Sequence, residues 1–331
     1  MKKLGLTLIF GVLVAVVGCS SYRASVSPHA TLPLPADVQQ YYAYSPIQPS
    51  VKVHVLERNP SYWVKEATLD MGDGSEPIQL VWYTPTTSEK RPLILISPIR
   101  GSDTLIVGGC AEVFADCGYQ AAIVKRAHVR FDPAGPLTQV EDSLRTAVIR
   151  HRQALDWLTS QPGVDRERVG TFGISYGAIL TSVLAAVDPR VKVCVIDLAG
   201  GPLAGVMRSS EEGSLRRSWA RSRAGHDLTS KELYEELLSV IRTDPVKLAP
   251  YVERDRVLML IARYDSSVPT RYQLKLWKAL GRPRADFVPL GHYTSILALP
   301  AHRLNVMRFF ADNLDRAAAD APVNTATEAK D

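Results

Sequence analysis

The chain has 331 residues, enough for one large domain with a sizeable buried core. Its 39 lysines and arginines against 34 acidic residues give a formal net charge of +5, which is modest for this length and offers no support for a nucleic-acid partner. Neither CxxC nor HExxH spacing occurs, so the sequence predicts no zinc site, and no motif requires a cofactor.

The amino terminus has the pattern of an export signal. The first three residues, MKK, are a positively charged start, and the apolar run of residues 4–17 suits a signal peptide but is short for a membrane span. The run ends in VVGC, which resembles the lipobox of bacterial lipoproteins. That resemblance implies a signal peptide over residues 1–18 and lipid attachment at Cys19, which would make the membrane a partner. An ordinary signal peptide with an incidental cysteine is the alternative.

The segments that flank the main domain differ from it in composition. Ser20 stands where inner-membrane lipoproteins carry a retaining aspartate, so we expect a lipid-anchored protein of the bacterial cell envelope, at the outer membrane. Residues 19–50, rich in proline, serine and tyrosine, are predicted to form a lipidated tether. Residues 317–331 are predicted to be a flexible tail. Residues 51–316 remain for the folded domain.

Strands and helices alternate through the first half of that domain. VKVHVLERN and PIQLVWYT are typical of strands in an opening hairpin or meander, with MGDGSE as a turn between them. RPLILISP predicts a central strand, residues 104–117 a helix that Gly118 ends, and YQAAIVKR the next strand. Residues 139–160 carry apolar side chains at helical spacing. This alternation predicts an α/β fold with a mostly parallel, doubly wound sheet.

The segment GISYG, residues 173–177, follows the strand-like RVGTF and precedes AILTSVLAAV, an apolar stretch of helical length. Between a strand and a helix, this GxSxG pattern predicts a nucleophile elbow, a strained turn that lifts the Ser175 hydroxyl above the sheet. A side chain at Gly173 or Gly177 would clash in such a turn. A merely tight turn is the alternative.

Two further polar residues follow later strands. Asp265 lies in the loop after RVLMLIA, and His292 follows the short strand ADFV. A serine hydroxyl needs a neutral imidazole to accept its proton and a carboxylate to orient that imidazole. Because all three residues follow the carboxyl ends of strands, we expect them at one edge of a parallel sheet. Taken singly, His292 could be an ordinary loop histidine and Asp265 a turn residue.

GISYG, YDSSVP and GHY, in this order, make residues 51–316 similar to the α/β-hydrolases, nearest to the esterases, dienelactone hydrolases and prolyl-oligopeptidase-like enzymes. The resemblance implies Ser175 as nucleophile, His292 as base and Asp265 as acid. Asp197, at the end of VKVCVID, is the rival acid, because some hydrolases of this fold place their carboxylate after that strand.

The resemblance also implies an oxyanion hole of two backbone N–H groups. One belongs to Tyr176, directly after the nucleophile. The other comes from the loop after LILI, which usually reads HGxxG in the family and here reads SPIRG. If Gly101 matches the last glycine, Ile99 is the donor; Arg100 is the alternative, since Pro98 has no N–H. Arg100 could instead bind substrate through its side chain.

Residues 201–255 interrupt the alternation, because they show helical patterns and no strand signal. In hydrolases of this fold a lid is inserted at this point, so the segment is predicted to form a helical cap over the site. Its basic side chains are either solvated or bind an anionic substrate or lipid headgroups. They are Arg208, Arg216, Arg217, Arg221 and Arg223.

The expected function is that of a membrane-anchored serine hydrolase that cleaves a small-molecule carboxylic ester through an acyl-enzyme. A serine peptidase with the same triad is the first alternative, disfavoured because the sequence predicts a tether where prolyl oligopeptidases carry a large gating domain. A non-catalytic envelope lipoprotein that kept the fold is the second, disfavoured by a serine, an aspartate and a histidine in the expected order.

Overall fold

A ten-stranded sheet with helices on both faces dominates the computed structural model, which describes residues 20–22, 30–100, 104–127 and 132–319. The strands are β1 (Ser20–Tyr22), β2 (Ser50–Arg58), β3 (Tyr62–Asp70), β4 (Ile78–Pro85), β5 (Arg91–Ser97), β6 (Gln120–Val124), β7 (Val164–Ile174), β8 (Val191–Asp197), β9 (Val257–Ala262) and β10 (Arg284–Val288). The predicted signal peptide and Cys19 lie outside the described residues.

The helices connect these strands and cover the sheet. They are α1 (Ala36–Tyr41), α2 (Thr104–Asp116), α3 (Thr138–Thr159), α4 (Tyr176–Val187), α5 (Leu203–Ser209), α6 (Gly213–His226), α7 (Ser230–Val240), α8 (Pro245–Leu248), α9 (Thr270–Ala279) and α10 (Leu299–Ala319), with 3-10 turns at Ala249–Tyr251, Arg254–Arg256 and Thr294–Ala298. Helix α10 continues into the predicted tail as far as Ala319. In the described part of the chain, no helix combines the length and apolar composition needed to cross a bilayer.

The strand order is β1-β10-β9-β8-β7-β5-β6-β4-β3-β2. From β10 to β6 all neighbours are parallel, while β4, β3 and β2 continue antiparallel on one side and β1 pairs antiparallel with β10 on the other. Parallel neighbours need a crossover, which helix α2 provides between β5 and β6 and helix α4 between β7 and β8. The mostly parallel, doubly wound sheet agrees with the prediction from the sequence.

Strand β5 shows how the centre of the sheet is buried on both faces. Leu93 and Leu95 belong to the apolar cluster of one face, and Ile94 and Ile96 to that of the other. All four side chains are fully buried, because successive residues of a strand point to opposite faces. Helices α3, α4 and α9 cover the first face, and α2 and α10 cover the second.

Strand β3 makes the opening antiparallel strands a meander, one of the two predicted arrangements, but the strand itself was not predicted. It lies between the two predicted strands and pairs with both, so the MGDGSE turn joins β3, and not β2, to β4. Its buried residues include Val64, Ala67 and Leu69, but the half-buried Lys65 and Glu66 interrupt the two-residue alternation. That interruption hides the strand from a search for period-two hydrophobicity.

Residues 30–50 differ from the free tether predicted there, because they pack on the domain. Tyr42 is 1% exposed, and its hydroxyl lies 2.9 Å from the Thr243 hydroxyl of the cap segment. The Tyr41 hydroxyl donates to Glu141 of α3 at 2.7 Å. Two buried or half-buried aromatic rings stabilise the docked conformation of this segment by the area they remove from water.

Helices α5 to α8 lie between β8 and β9, within the segment predicted as a cap. Glu141, 4% exposed, ties α3 to this segment. Its Oε2 atom accepts the N–H groups of Arg242 at 2.8 Å and Thr243 at 2.7 Å. A buried carboxylate is tolerated where several donors satisfy it, so Glu141 stabilises the junction of α3, the amino-terminal segment and the helical insert.

Candidate active site

The turn between β7 and α4 is a strained elbow. Ser175 has φ +57° and ψ −118°, in the left-handed half of conformational space that a side chain disfavours. Its N–H donates to the Asp197 carbonyl at 2.8 Å. A Cβ on Gly173 would overlap the backbone of Gly177, and a Cβ on Gly177 would overlap the Ser97 carbonyl. Both glycines are therefore required by the close approach of the backbone, as the pattern predicts.

The structure brings the three predicted triad residues into one hydrogen-bonded chain. The Nε2 atom of His292 lies 3.0 Å from Ser175 Oγ, and its Nδ1 atom lies 2.7 Å from Asp265 Oδ2. The Asp265 side chain is fully buried, whereas 12% of the His292 side chain is exposed. The carboxylate is thus shielded from water, while the imidazole reaches the surface beside the hydroxyl.

Three hydrogen-bond donors hold the Asp265 carboxylate in place, and one of them, Gln273, was not predicted from the sequence. The N–H groups of Ser267 and Val268 each donate to Oδ1 at 2.8 Å, which is a local turn after β9. Gln273 donates its amide to Oδ2 at 2.8 Å and accepts the Ala262 N–H at 3.1 Å. Gln273 is fully buried in α9. No sequence signal singles it out, because its role depends on the packing of α9 against β9.

The two predicted oxyanion donors lie next to Ser175. Tyr176 is the first residue of α4, so its N–H has no acceptor within that helix. Ile99 lies in the wall of the cavity that contains Ser175 and His292. Gly101, which aligns the SPIRG loop with the family pattern, lies outside the described residues. The choice of Ile99 as the second donor therefore stays a prediction.

The cavity at Ser175 has a volume of about 140 Å³ and mostly apolar walls. Besides the catalytic residues and Asp197, two charged residues line it, Arg100 and Glu212 of the helical insert. Their side chains lie 3.9 Å apart. Both side chains are partly exposed, so this ion pair contributes little stability. Among the described residues, no group of three histidine, cysteine, aspartate or glutamate side chains is arranged to bind a metal ion.

The rival acid Asp197 contacts a different histidine from the predicted base. Its Oδ1 atom lies 3.0 Å from His302 Nε2, and His302 Nδ1 lies 2.8 Å from Asp286 Oδ2. Ser21 and Asn305 donate to Asp286 at 2.7 and 2.8 Å. The side chains of both aspartates are fully buried, and His302 is 1% exposed. Asp197 is therefore part of a buried ion cluster.

The charge state of this cluster follows from its carboxylates. Burial lowers the pKa of His302, but the charges and hydrogen bonds of Asp197 and Asp286 outweigh burial and raise that pKa to about 9. For Asp286, burial alone would raise the pKa of the carboxyl group. Hydrogen bonds from His302, Asn305 and Ser21 outweigh that effect, so the pKa of Asp286 is lower than its ordinary value. His302 is thus an imidazolium at neutral pH, held between two carboxylates.

A GxSxG elbow on a mostly parallel sheet, with a histidine and a carboxylate after later strands, defines an α/β-hydrolase, and this chain is a serine hydrolase of that fold. Within this class, the chain belongs to the family described as X-Pro dipeptidyl-peptidase (S15 family), whose sequence profile matches residues 73–238.

Individual proteins resemble the chain at low sequence identity. The chain is 24% identical over 225 residues to the uncharacterized protein YcjY of Escherichia coli, and this match covers 66% of this chain and 67% of that protein. An acetyl xylan esterase from a Paenibacillus species superposes with a TM-score of 0.67 at 20% identity, over 84% of this chain and 92% of the esterase. Acetyl xylan esterase 1 from a Thermoanaerobacterium species superposes with a TM-score of 0.61 at 16% identity, over 91% of this chain and 98% of that esterase. These likenesses confirm the α/β-hydrolase fold.

The buried cluster predicts an alkaline loss of stability. Since the pKa of His302 is about 9 in the folded chain and about 6.5 when unfolded, its stabilising effect is complete below pH 6.5 and disappears as pH rises through 9. We expect the free energy of unfolding, measured with urea from pH 6.5 to 9.5, to fall by on the order of 3 kcal/mol more in the wild type than in His302→Gln.

The matched control for that measurement is His54→Gln, which changes an exposed histidine of β2. Its profile should follow the wild type. Parallel profiles for the wild type and His302→Gln would show that His302 does not titrate in this window.

Proposed function

We propose that this chain is a membrane-anchored serine hydrolase that cleaves a small-molecule carboxylic ester through an acyl-enzyme at Ser175. The observation that carries the proposal is the hydrogen-bonded chain from Ser175 Oγ through His292 to Asp265, with distances of 3.0 and 2.7 Å. A nucleophile, a base within hydrogen-bond reach and a group that orients the base are what acyl transfer requires.

In the proposed acylation step, neutral His292 accepts the Ser175 proton at Nε2 while Oγ bonds to the ester carbonyl carbon. Asp265 accepts a hydrogen bond from Nδ1–H of His292. This bond fixes the tautomer of the His292 ring and stabilises the imidazolium that forms. The N–H groups of Tyr176 and Ile99 donate to the negative carbonyl oxygen. His292 then donates its Nε2 proton to the leaving oxygen, so that the carbonyl reforms and the alcohol departs.

Deacylation uses the same groups in reverse order. A water gives one proton to Nε2 of His292, and its oxygen bonds to the acyl carbon. When the tetrahedral intermediate collapses, the bond to Ser175 Oγ breaks, and His292 returns the proton to that oxygen. The products are a carboxylic acid and the regenerated hydroxyl.

The site favours an ester over a peptide for two reasons. The cavity at Ser175 holds about 140 Å³, and its mostly apolar walls offer few hydrogen-bond partners for the N–H and C=O groups on both sides of a peptide amide. Arg100 and Glu212 face one another, so the charges that would attract the two termini of a peptide partly neutralise each other. The family's description as a dipeptidyl-peptidase favours a serine peptidase as the second candidate.

The direct test compares one acyl group on two leaving groups. We expect the purified full-length chain to hydrolyse an aryl ester at least 100-fold faster than the matched anilide, because an amide nitrogen leaves only when it is protonated. A fluorophosphonate probe should label the wild type and not Ser175→Ala. Ser239→Ala, which removes an exposed hydroxyl bonded to the Glu236 carbonyl of its own helix, is the control.

Each other outcome selects a different candidate. Faster turnover of the anilide would favour the peptidase. Labelling of the alanine variant at another serine would exclude Ser175 as nucleophile, and an unlabelled wild type inert to both substrates would favour the non-catalytic lipoprotein.

The identity of the acid can be tested with two asparagine variants. Asp265→Asn should lower kcat by about 10⁴, because the amide no longer fixes the productive tautomer of His292. Asp197→Asn should chiefly lower the free energy of unfolding, since Asp197 lies against His302. Stopped assays of kcat on folded samples of both variants decide the ranking. A larger loss of kcat in Asp197→Asn would assign the acid to Asp197.

We further propose that the chain is anchored through a lipid on Cys19 at the outer membrane of a bacterial cell envelope. Support comes from the lipobox-like VVGC segment, which lies outside the described residues. Cys19→Ser in the full-length chain should move most of the protein from the washed membrane pellet to the soluble fraction, because two or more acyl chains are needed for stable anchoring. Retention of the variant after a salt wash would point instead to the exposed arginines of α6.

A further inference from the structure

A second cavity lies beside the candidate active site, between helices α2 and α10. Its volume is about 410 Å³. Its walls include the buried side chains of Phe172 on β7, Phe114 on α2 and Val306 on α10. The helix α2 side also contributes Gly109 and Val113. The cavity therefore lies on the face of the sheet that carries the second apolar cluster.

This cavity adjoins the one that contains Ser175 and His292. Four residues line both: Ile106, Asp197, Ile296 and Leu299. At about 140 Å³, the catalytic cavity has room for the reacting ester group and little more, whereas the two volumes together fall within the range of ordinary ligand sites. A substrate larger than an acetate ester needs additional space, and the shared wall places that space next to Ser175.

The lining of the second cavity suits a hydrocarbon. Its two buried charged groups, Asp197 and His302, are paired with each other through Asp197 Oδ1, while Asp197 Oδ2 is buried without a hydrogen-bond partner among the described residues. Burial raises the pKa of the Cys110 thiol to about 12, so it stays neutral. The exposed Arg303 lies at the rim. With the interior surface otherwise aliphatic and aromatic, transfer of methylene groups from water is the interaction that this cavity offers.

We propose that the cavity between α2 and α10 binds a hydrocarbon chain of the ester substrate while the ester group lies at Ser175. This inference rests on the proposed ester hydrolysis and adds the substrate class: esters that carry an alkyl chain of several carbons. Each methylene transferred to the cavity should raise kcat/KM about fourfold until the cavity is full.

Gly109 offers a way to fill the cavity without disturbing the fold. It is in the middle of α2, and a Cβ at this position would meet no atom within 4 Å. Alanine and leucine both favour a helix over glycine. Gly109 is an exposed lining residue, so Gly109→Leu adds a branched side chain to the wall of the cavity, and Gly109→Ala is the matched control. Val113→Phe, one turn further along the same face, fills it independently.

The assay compares aryl acetate, butyrate and octanoate esters, together with octyl acetate, whose chain is on the alcohol side. In the wild type and Gly109→Ala, kcat/KM should rise from acetate to octanoate. Gly109→Leu and Val113→Phe should lower kcat/KM for octanoate at least tenfold and leave the aryl acetate within twofold. If octyl acetate is the ester affected instead, the cavity takes the alkyl chain of the alcohol, and the hydrocarbon assignment stands.

The failures can be told apart. A wild type that hydrolyses acetate and octanoate with the same ratio as both filled variants would overturn the cavity assignment and leave ester hydrolysis intact. Equal losses on every ester in the filled variants, with unchanged unfolding curves, would also overturn it. A wild type inert to all four esters would contradict the proposed function itself.

Discussion

The close approach of three backbone segments around Ser175 is the constraint on which the site depends. Gly177 packs against the Ser97 carbonyl, Gly173 packs against Gly177, and the Ser175 N–H donates to Asp197. Strands β5, β7 and β8 are neighbours in the sheet, so the elbow is locked to its two flanking strands. The strained φ of Ser175 persists because this surrounding packing overdetermines it.

Two aspartate–histidine pairs lie near the carboxyl edge of this sheet, and their surroundings give them different properties. His292 has one carboxylate, reaches the surface and lies against a hydroxyl that can give up its proton. His302 has two carboxylates, is almost fully buried and has both ring nitrogens in hydrogen bonds. A general base must lie within hydrogen-bond reach of the proton that it accepts. Of these two histidines, His292 meets that need, because its Nε2 atom lies against the Ser175 hydroxyl.

The sequence predicted most of the sheet and brought Ser175, Asp265 and His292 together, since each follows a strand and parallel strands end at one edge. It could not predict Gln273, whose contact with Asp265 depends on how α9 packs on β9. The contact between Asp286 and His302 could not be predicted either, because a buried cluster joins residues that share no sequence pattern. The cavity beside α2 likewise depends on residues of five separate elements.

The docking of the amino terminus changes how a lipid at Cys19 would hold the domain. A free tether of some 30 residues would hold the domain at a mean distance of roughly 30 Å from the bilayer. Instead β1, directly after Cys19, pairs with β10, and Tyr22 packs against Trp277 with ring centroids 5.0 Å apart. Ser21 donates to the same Asp286 that holds His302. Strand β1, which directly follows the proposed attachment residue in the chain, therefore both extends the sheet and contributes a hydrogen bond to the buried ion cluster.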